Sequence, residues 1–278
     1  MATSTIPAGL RVSKTLSRAE TKKLLHQIRN SKSVEIKVSI PREEKQRVTL
    51  SMGIDPVEAQ ARHVFFFDTP DQALNRAGLI VRARRIPGGT ADTVVKLRPV
   101  DPAGIDAELK RSDDFKVEVD AMPGGTFICS ASYKGSVPSQ DVVDVFHGLQ
   151  TIRSLFSKEQ RRFYDEHAPK GIDMNSLRMQ GPILTLRAKH KPKEYKRGIT
   201  AELWLWNDGQ HILEISTKCA PADAFQTAVE FRTFLEGHGV DLFAKQETKT
   251  RTAMDKFKAG LKSRRRAGKK GKSARKRR

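Results

Sequence analysis

Residues 63–85, HVFFFDTPDQALNRAGLIVRARR, and the KLR at 96–98 set Arg82, Arg84, Lys96 and Arg98 at two-residue spacing on two successive segments of strand character. Side chains alternate across a strand, so Arg82 and Arg84 share one face while Leu79, Val81 and Ala83 take the other. Lys96 and Arg98 stand likewise against Val95 and Leu97. One such strand alone describes a solvated sheet face. The pattern recurs, however. Glu35 and Lys37 alternate with Val34, Ile36 and Val38, and Lys116, Glu118 and Asp120 with Phe115, Val117 and Val119. Arg187 and Lys189 alternate with Leu184, Leu186 and Ala188, while Glu214, Ser216 and Lys218 oppose Leu213, Ile215 and Thr217. Glu202 opens one face of AELWLW. These seven segments carry nine bases and five acids on their charged faces, a surplus of positive charge. Closed into a barrel, such a sheet lines a wet lumen with charge and leaves its apolar faces for helices outside. That lumen suits a polyanion accompanied by a divalent cation.

At these residues the chain resembles the CYTH domains, or triphosphate tunnel metalloenzymes, from about Ser33 to Lys258. The resemblance is most specific in the FFFDTPDQALNRAGLIVRARR block, the KLR after it, FKVEVD, and QETKTR near the C-terminus. It implies an α+β fold: a closed antiparallel eight-stranded β-barrel with helices packed outside. The implied organisation is an N-terminal extension with a short helix over 1–30, the tunnel domain over 31–258, and a disordered basic tail over 259–278. The family's opening E-x-E-x-K falls on Ser33, Val34, Glu35, Ile36 and Lys37, so the first glutamate is missing. A late E-x-E keeps Glu214 and has Ser216 in place of its second acid.

Carried over by position, Arg82, Arg84, Lys96, Arg98, Arg187, Lys189 and Lys249 hold phosphates, Glu35, Lys37 and Glu118 serve catalysis, and Glu35, Glu118, Asp120 and Glu214 hold Mg2+ or Mn2+. Glu202 is a possible fifth ligand. The implied activity is divalent-metal-dependent hydrolysis of a triphosphate-containing substrate, most simply inorganic triphosphate. Positioning and charge neutralisation supply most of the catalysis in phosphoryl transfer. Hard divalent ions prefer charged oxygen ligands, so two serines in place of acids imply a weaker metal site. The alternatives are a non-catalytic module that binds polyphosphate or a nucleotide triphosphate, and an adenylate-cyclase-type enzyme. Glu118 and Asp120 also have a purely structural reading, as neutralisers of neighbouring Arg and Lys.

The 278-residue chain has a formal net charge of +20, and residues 262–278 carry eleven Lys or Arg and no acid. Such a segment cannot bury enough apolar surface to fold alone. It offers salt-sensitive contact to nucleic acid, polyphosphate or anionic lipid, or simply a solvated tail. Cys129 and Cys219 have no CxxC spacing and indicate neither zinc nor a disulfide framework. No apolar run approaches the roughly twenty residues that span a bilayer, and a cytoplasmic location is the default expectation.

Helices are expected over 17–29, over 141–167 with a break near Phe156, and over 221–236. Ser157 and Gln160 fit a capping box, and Gly237 a stop. Val142, Val145, Phe146, Leu149, Ile152, Leu155 and Phe156 are expected to face inward, as are Phe225, Val229 and Phe231 or Phe234. Gly88–Gly89 and Gly124–Gly125 read as hairpin turns. The tail's GKS lacks the first glycine of a phosphate-binding loop, since Arg266 stands there. Trp204 and Trp206 read as an apolar strand face packed by a helix, or as a base-stacking pair.

Overall fold

The computed structural model describes residues 16–123, 125–244, 246 and 248–259. Gly124 and nearly all of the basic tail therefore lie outside the described residues. The signature block folds as the alternation dictates. Strand β2, Gln60–Asp68, pairs antiparallel with β3, Leu79–Arg85, setting Val64 and Phe66 opposite Arg84 and Arg82 on one face, and Phe65 and Phe67 opposite Ala83 and Val81 on the other. Between them, the Asp68 carboxylate accepts backbone N–H groups of Thr69, Leu74 and Asn75 at 2.7, 3.0 and 3.0 Å. This holds the short helix Ala73–Arg76 against the barrel wall. Gly78 then takes φ +77°, and a Cβ there would lie 2.4 Å from the Arg98 carbonyl oxygen. Only glycine allows that approach, and through it the Arg98 N–H donates to the Gly78 carbonyl at 2.8 Å.

The other strands are β1 (Ser33–Ile40), β4 (Thr90–Leu97), β5 (Phe115–Met122), β6 (Thr126–Pro138), β7 (Arg178–His190), β8 (Ile199–Leu205) and β9 (His211–Cys219). Among the described residues nine strands close into a barrel in the order β1-β5-β6-β4-β3-β2-β7-β8-β9, with β9 returning to β1. This corrects the eight-stranded, wholly antiparallel expectation in two respects. Charge alternation missed two strands: β2, whose inward positions include Val64 and Phe66, and β6, whose inward positions opposite β5 and β4 include the neutral Ser130 and Ser132. In addition, β1 and β5 pair in parallel, with Glu35 opposite Asp120.

Helices α1 (Arg18–Arg29), α5 (Ser139–Phe146) and α6 (Lys158–His167) contribute Ile28, Val142, Val145, Phe163 and Tyr164 to the core on the outer face of β1–β6. The numbering leaves α2 for Lys45–Ser51, α3 for Ala73–Arg76, α4 for Ala107–Arg111 and α7 for Ala224–Gly237. A second core joins Val48 of α2 and Phe231, Phe234 and Leu235 of α7 to Val38, Ala201, Leu213 and Ile215. The Ser157/Gln160 capping box opens α6 as expected. Gln160 also reaches the Thr93 and Tyr133 carbonyls at 3.1 and 3.3 Å, pinning the helix to β4 and β6.

Several inward assignments are corrected: Phe146, Leu149, Phe225 and Val229 are all exposed. The 139–167 segment breaks twice, at the 3-10 turn Ile152–Leu155 and again before α6. The first helix ends at Phe146, so Leu149 lies in the connecting loop, and Phe146 is the last residue of α5. In α7 the inward stripe is Phe231, Phe234 and Leu235; at about 3.6 residues per turn Phe225, nine positions before Phe234, falls on the opposite face.

Candidate functional site

Registers across the barrel bring the charged faces together inside it. Glu35, Lys37, Glu118, Asp120, Lys96, Arg98, Arg82, Arg84, Arg187, Glu202, Glu214 and Lys218 all belong to the inward set, and Lys249 joins them from the helical residues 249–259. Lys189 occupies an inward register position opposite Thr200 but is exposed, outside the packed cluster.

The wall formed by β1, β5 and β9 is charge-compensated. The Lys37 ammonium lies 3.0 Å from both Glu35 and Asp120. Lys218 lies 2.8 Å from Glu118 and 4.0 Å from Glu35. Lys249 bridges Glu214, at 2.8 Å, and Glu202. Asp120 is also approached by Arg98 at 3.5 Å and Lys96 at 3.7 Å. The two serines that replace acids donate to what remains: Ser33 Oγ to Glu118 at 3.2 Å and Ser216 Oγ to Glu35 at 3.1 Å.

Burial would raise these carboxyls, but the adjacent cations win. Lys218 and Lys134 hold Glu118 down at about 2, and Lys37 and Lys96 hold Asp120 well below the usual carboxylate range. Glu35 is lowered by Lys37 and Lys218, and Glu202 by Lys249 and nearby arginines. Lys37 is correspondingly raised, since Asp120 and Glu35 outweigh its burial.

The opposite wall, β2, β3 and β7, is different. Arg62, Arg82, Arg84 and Arg187 are close enough to perturb one another, and the ion pairs available are Arg84–Asp92 at 2.9 Å and Arg187–Glu202 at 3.4 Å. Among the described residues Arg82 forms no ion pair, and its buried Nε has no hydrogen-bond partner. Burial and then the neighbouring Arg84 push it down to about 10.

One end of the lumen is apolar. Val64, Phe66, Ile183, Trp204, Trp206 and Ile212 point inward and pack on Ala253, Met254 and Phe257 of the 249–259 helix. Trp204 and Trp206 therefore form an apolar strand face packed by a helix, as expected, and that face is the lumen's. Gln72, from the signature block, donates to the Met254 carbonyl and ties that helix down.

Reading the sequence for charged pairs missed Lys134 as well as Arg62 and Asp92. Lys134 lies on the strand that carried no alternation signal, whereas Arg62 and Asp92 precede the segments in which alternation was counted. Lys218 was visible in the alternation, but only the barrel closure sets it between Glu35 and Glu118. A separate cavity of about 590 Å3 beside α7, lined by Ile36, Met122, Phe231 and Leu235, presents no such convergence of charge.

The metal expected from the resemblance can be tested on this donor set. Among the described residues no three Asp, Glu, His or Cys side chains group as ligands. Each candidate carboxylate instead faces an ammonium, and both serine hydroxyls spend their protons on Glu35 and Glu118. The residues as arranged do not fit a divalent ion. Among the described residues no helix is long and apolar enough to cross a membrane.

Neither a protein-family model nor a curated protein matches the chain. Solved structures do. A Hippeastrum protein, provisionally named an adenylyl cyclase and described as revealing a dominant triphosphatase activity, is 16% identical over 80% of this chain and 94% of its own, with a TM-score of 0.55. A Bacillus halodurans protein with the provisional name of adenylate cyclase is 14% identical over 80% of this chain and 97% of its own, with a TM-score of 0.56. At this identity the likeness speaks for the fold, and that fold is the CYTH-like barrel which the sequence resembles.

Proposed function

We propose that the lumen binds the triphosphate group of a small substrate. The observation that carries this reading is Arg82: a half-buried side chain beside Arg84 and Arg62, its buried Nε without a hydrogen-bond partner and with no ion pair among the described residues. Asp92 and Glu202 act on Arg82 without pairing with it, so its charge is only partly compensated, and an incoming anion relieves the remaining cost. Guanidinium groups grip phosphate oxygens through paired N–H donors. The anion therefore docks on the arginine wall, with Lys96, Arg98 and the lysines opposite closing around it.

Hydrolysis of the bound chain is a second reading, favoured by the triphosphatase activity described for the Hippeastrum protein of like fold. The resident carboxylates are held ionised, with Glu118 at about 2, which makes them weak general bases near neutrality. Binding is thus the better supported of the two.

Thermal unfolding of the purified protein with tripolyphosphate, pyrophosphate, orthophosphate or ATP, alongside an assay for released phosphate, tests both readings. Stabilisation by tripolyphosphate or ATP that exceeds orthophosphate's supports the binding site. Absence of any shift refutes it. Phosphate release that is lost in Arg82→Ala adds turnover.

A further inference from the structure

Lys218 sits where the barrel would otherwise leave three carboxylates facing one another. Glu35 and Asp120 are directly opposed across the parallel β1–β5 pair, and Glu118 lies one inward position before Asp120 on β5. Lys218 is opposite Glu35 on β9. Its ammonium lies 2.8 Å from Glu118 and 4.0 Å from Glu35, while Lys37 lies 3.0 Å from Glu35 and from Asp120. Two fixed monovalent cations thus stand between three acids.

The neutral residues complete the arrangement. Ser33 and Ser216 each donate a hydroxyl proton to one of the same glutamates. A hard divalent ion needs about six oxygen ligands with lone pairs directed at it. Here ammonium and hydroxyl donors occupy those lone pairs, and an ion entering between the acids would meet two ammoniums at contact distance. The Lys218 side chain is half exposed, so an anion entering the lumen can reach it while Glu118 keeps it in place.

We infer that Lys218, with Lys37, is the built-in cation of this lumen, and that the phosphate chain is bound without a divalent metal ion. The inference rests on the triphosphate-binding reading for its ligand. Its cation half stands on the free protein alone. Because Mg2+ chelates tripolyphosphate in solution, it should compete with the protein for the ligand.

Two measurements test this on the full chain. In the first, Mn2+ is titrated into ligand-free protein and free Mn2+ is followed by electron paramagnetic resonance. Wild type is expected to leave the signal of free Mn2+ intact, whereas Ser216→Glu combined with Lys218→Met, which adds an acid and removes the ammonium, quenches about one equivalent. Quenching of one equivalent by wild type overturns the inference.

In the second, calorimetry measures tripolyphosphate binding in EDTA and in excess Mg2+. Full affinity in EDTA is expected, with weaker binding in Mg2+. Lys218→Met should weaken binding about tenfold, and Lys218→Arg, which keeps the charge, about threefold or less. Binding that appears only with Mg2+ overturns the inference. Should tripolyphosphate bind under neither condition, the binding reading fails, while the Mn2+ titration still decides whether lysine holds the metal's place.

Discussion

Arg82→Met should make the empty protein more stable and the ligand useless to it. The Arg82 guanidinium is lowered from the ordinary arginine value to about 10, first by burial and then by Arg84. At about 1.4 kcal/mol for each pH unit, carrying that charge costs the fold on the order of 3 kcal/mol. The sign follows from linkage. A base lowered on folding destabilises the native state at every pH below its folded value, and the penalty fades only as the pH rises from about 10 towards the ordinary arginine value. Methionine keeps the unbranched stem and removes the charge. With imperfect repacking taking back part of the gain, about 1–2 kcal/mol should survive at pH 7.

In wild type, tripolyphosphate at a hundred times its Kd adds about 2.7 kcal/mol. At roughly 2–4 °C for each kcal/mol, that is a rise in Tm of about 5–10 °C. Urea unfolding and thermal melts at pH 7, each with and without tripolyphosphate, read both effects. The variant should start above wild type and respond little to the ligand. A variant that is less stable when empty, and that retains the full ligand shift, would refute the assignment of Arg82 as an unpaired anion receptor.

Other consequences are read from compensated groups and close contacts. Lys249→Met strands Glu214 and leaves Glu202, which it also pairs in wild type, to Arg187 alone, and should cost about 3–5 kcal/mol in urea unfolding at pH 7. Glu202 is lowered by that pairing despite its burial, so its contribution is present above about pH 4.5 and is lost as the pH falls; the deficit of the variant should shrink on acidification, and a deficit independent of pH would contradict the pairing. Gly135→Ala would push a Cβ to 2.7 Å from Gln160 Oε1 and 2.9 Å from Thr93 Oγ1, and should lower stability by about 1–3 kcal/mol, whereas an unchanged melt would show that α6 is not seated as described.

The charge alternation of residues 79–85, 34–38, 115–120 and 213–218 marked these segments as strands with one charged face, and each is a strand of the barrel. Alternation is a local property of backbone geometry, which is why it survives without tertiary information. Strand β6 escaped for the same reason: Ser130 and Ser132 face inward beside charged neighbours but carry no charge of their own. The exposed Phe146 and Phe225 show the limit of reading helices by apolar content: Phe146 is the last residue of its helix, and Phe225 lies on the face opposite Phe234.

By itself the sequence determined the barrel class, the inward faces of the charged strands and the two positions where acids give way to Ser33 and Ser216. Only the tertiary structure decided what those charges do. Closure of β9 onto β1 sets Lys218 among the carboxylates of β1 and β5, and the 249–259 helix brings Lys249 to Glu202 and Glu214. Arg82, as charged in the sequence as its neighbours, is left without an ion pair among the described residues, while Asp92 and Glu202 pair with Arg84 and Arg187. Whether a charge is paired depends on distances of a few ångströms between strands far apart in sequence, and those distances exist only once the barrel has closed.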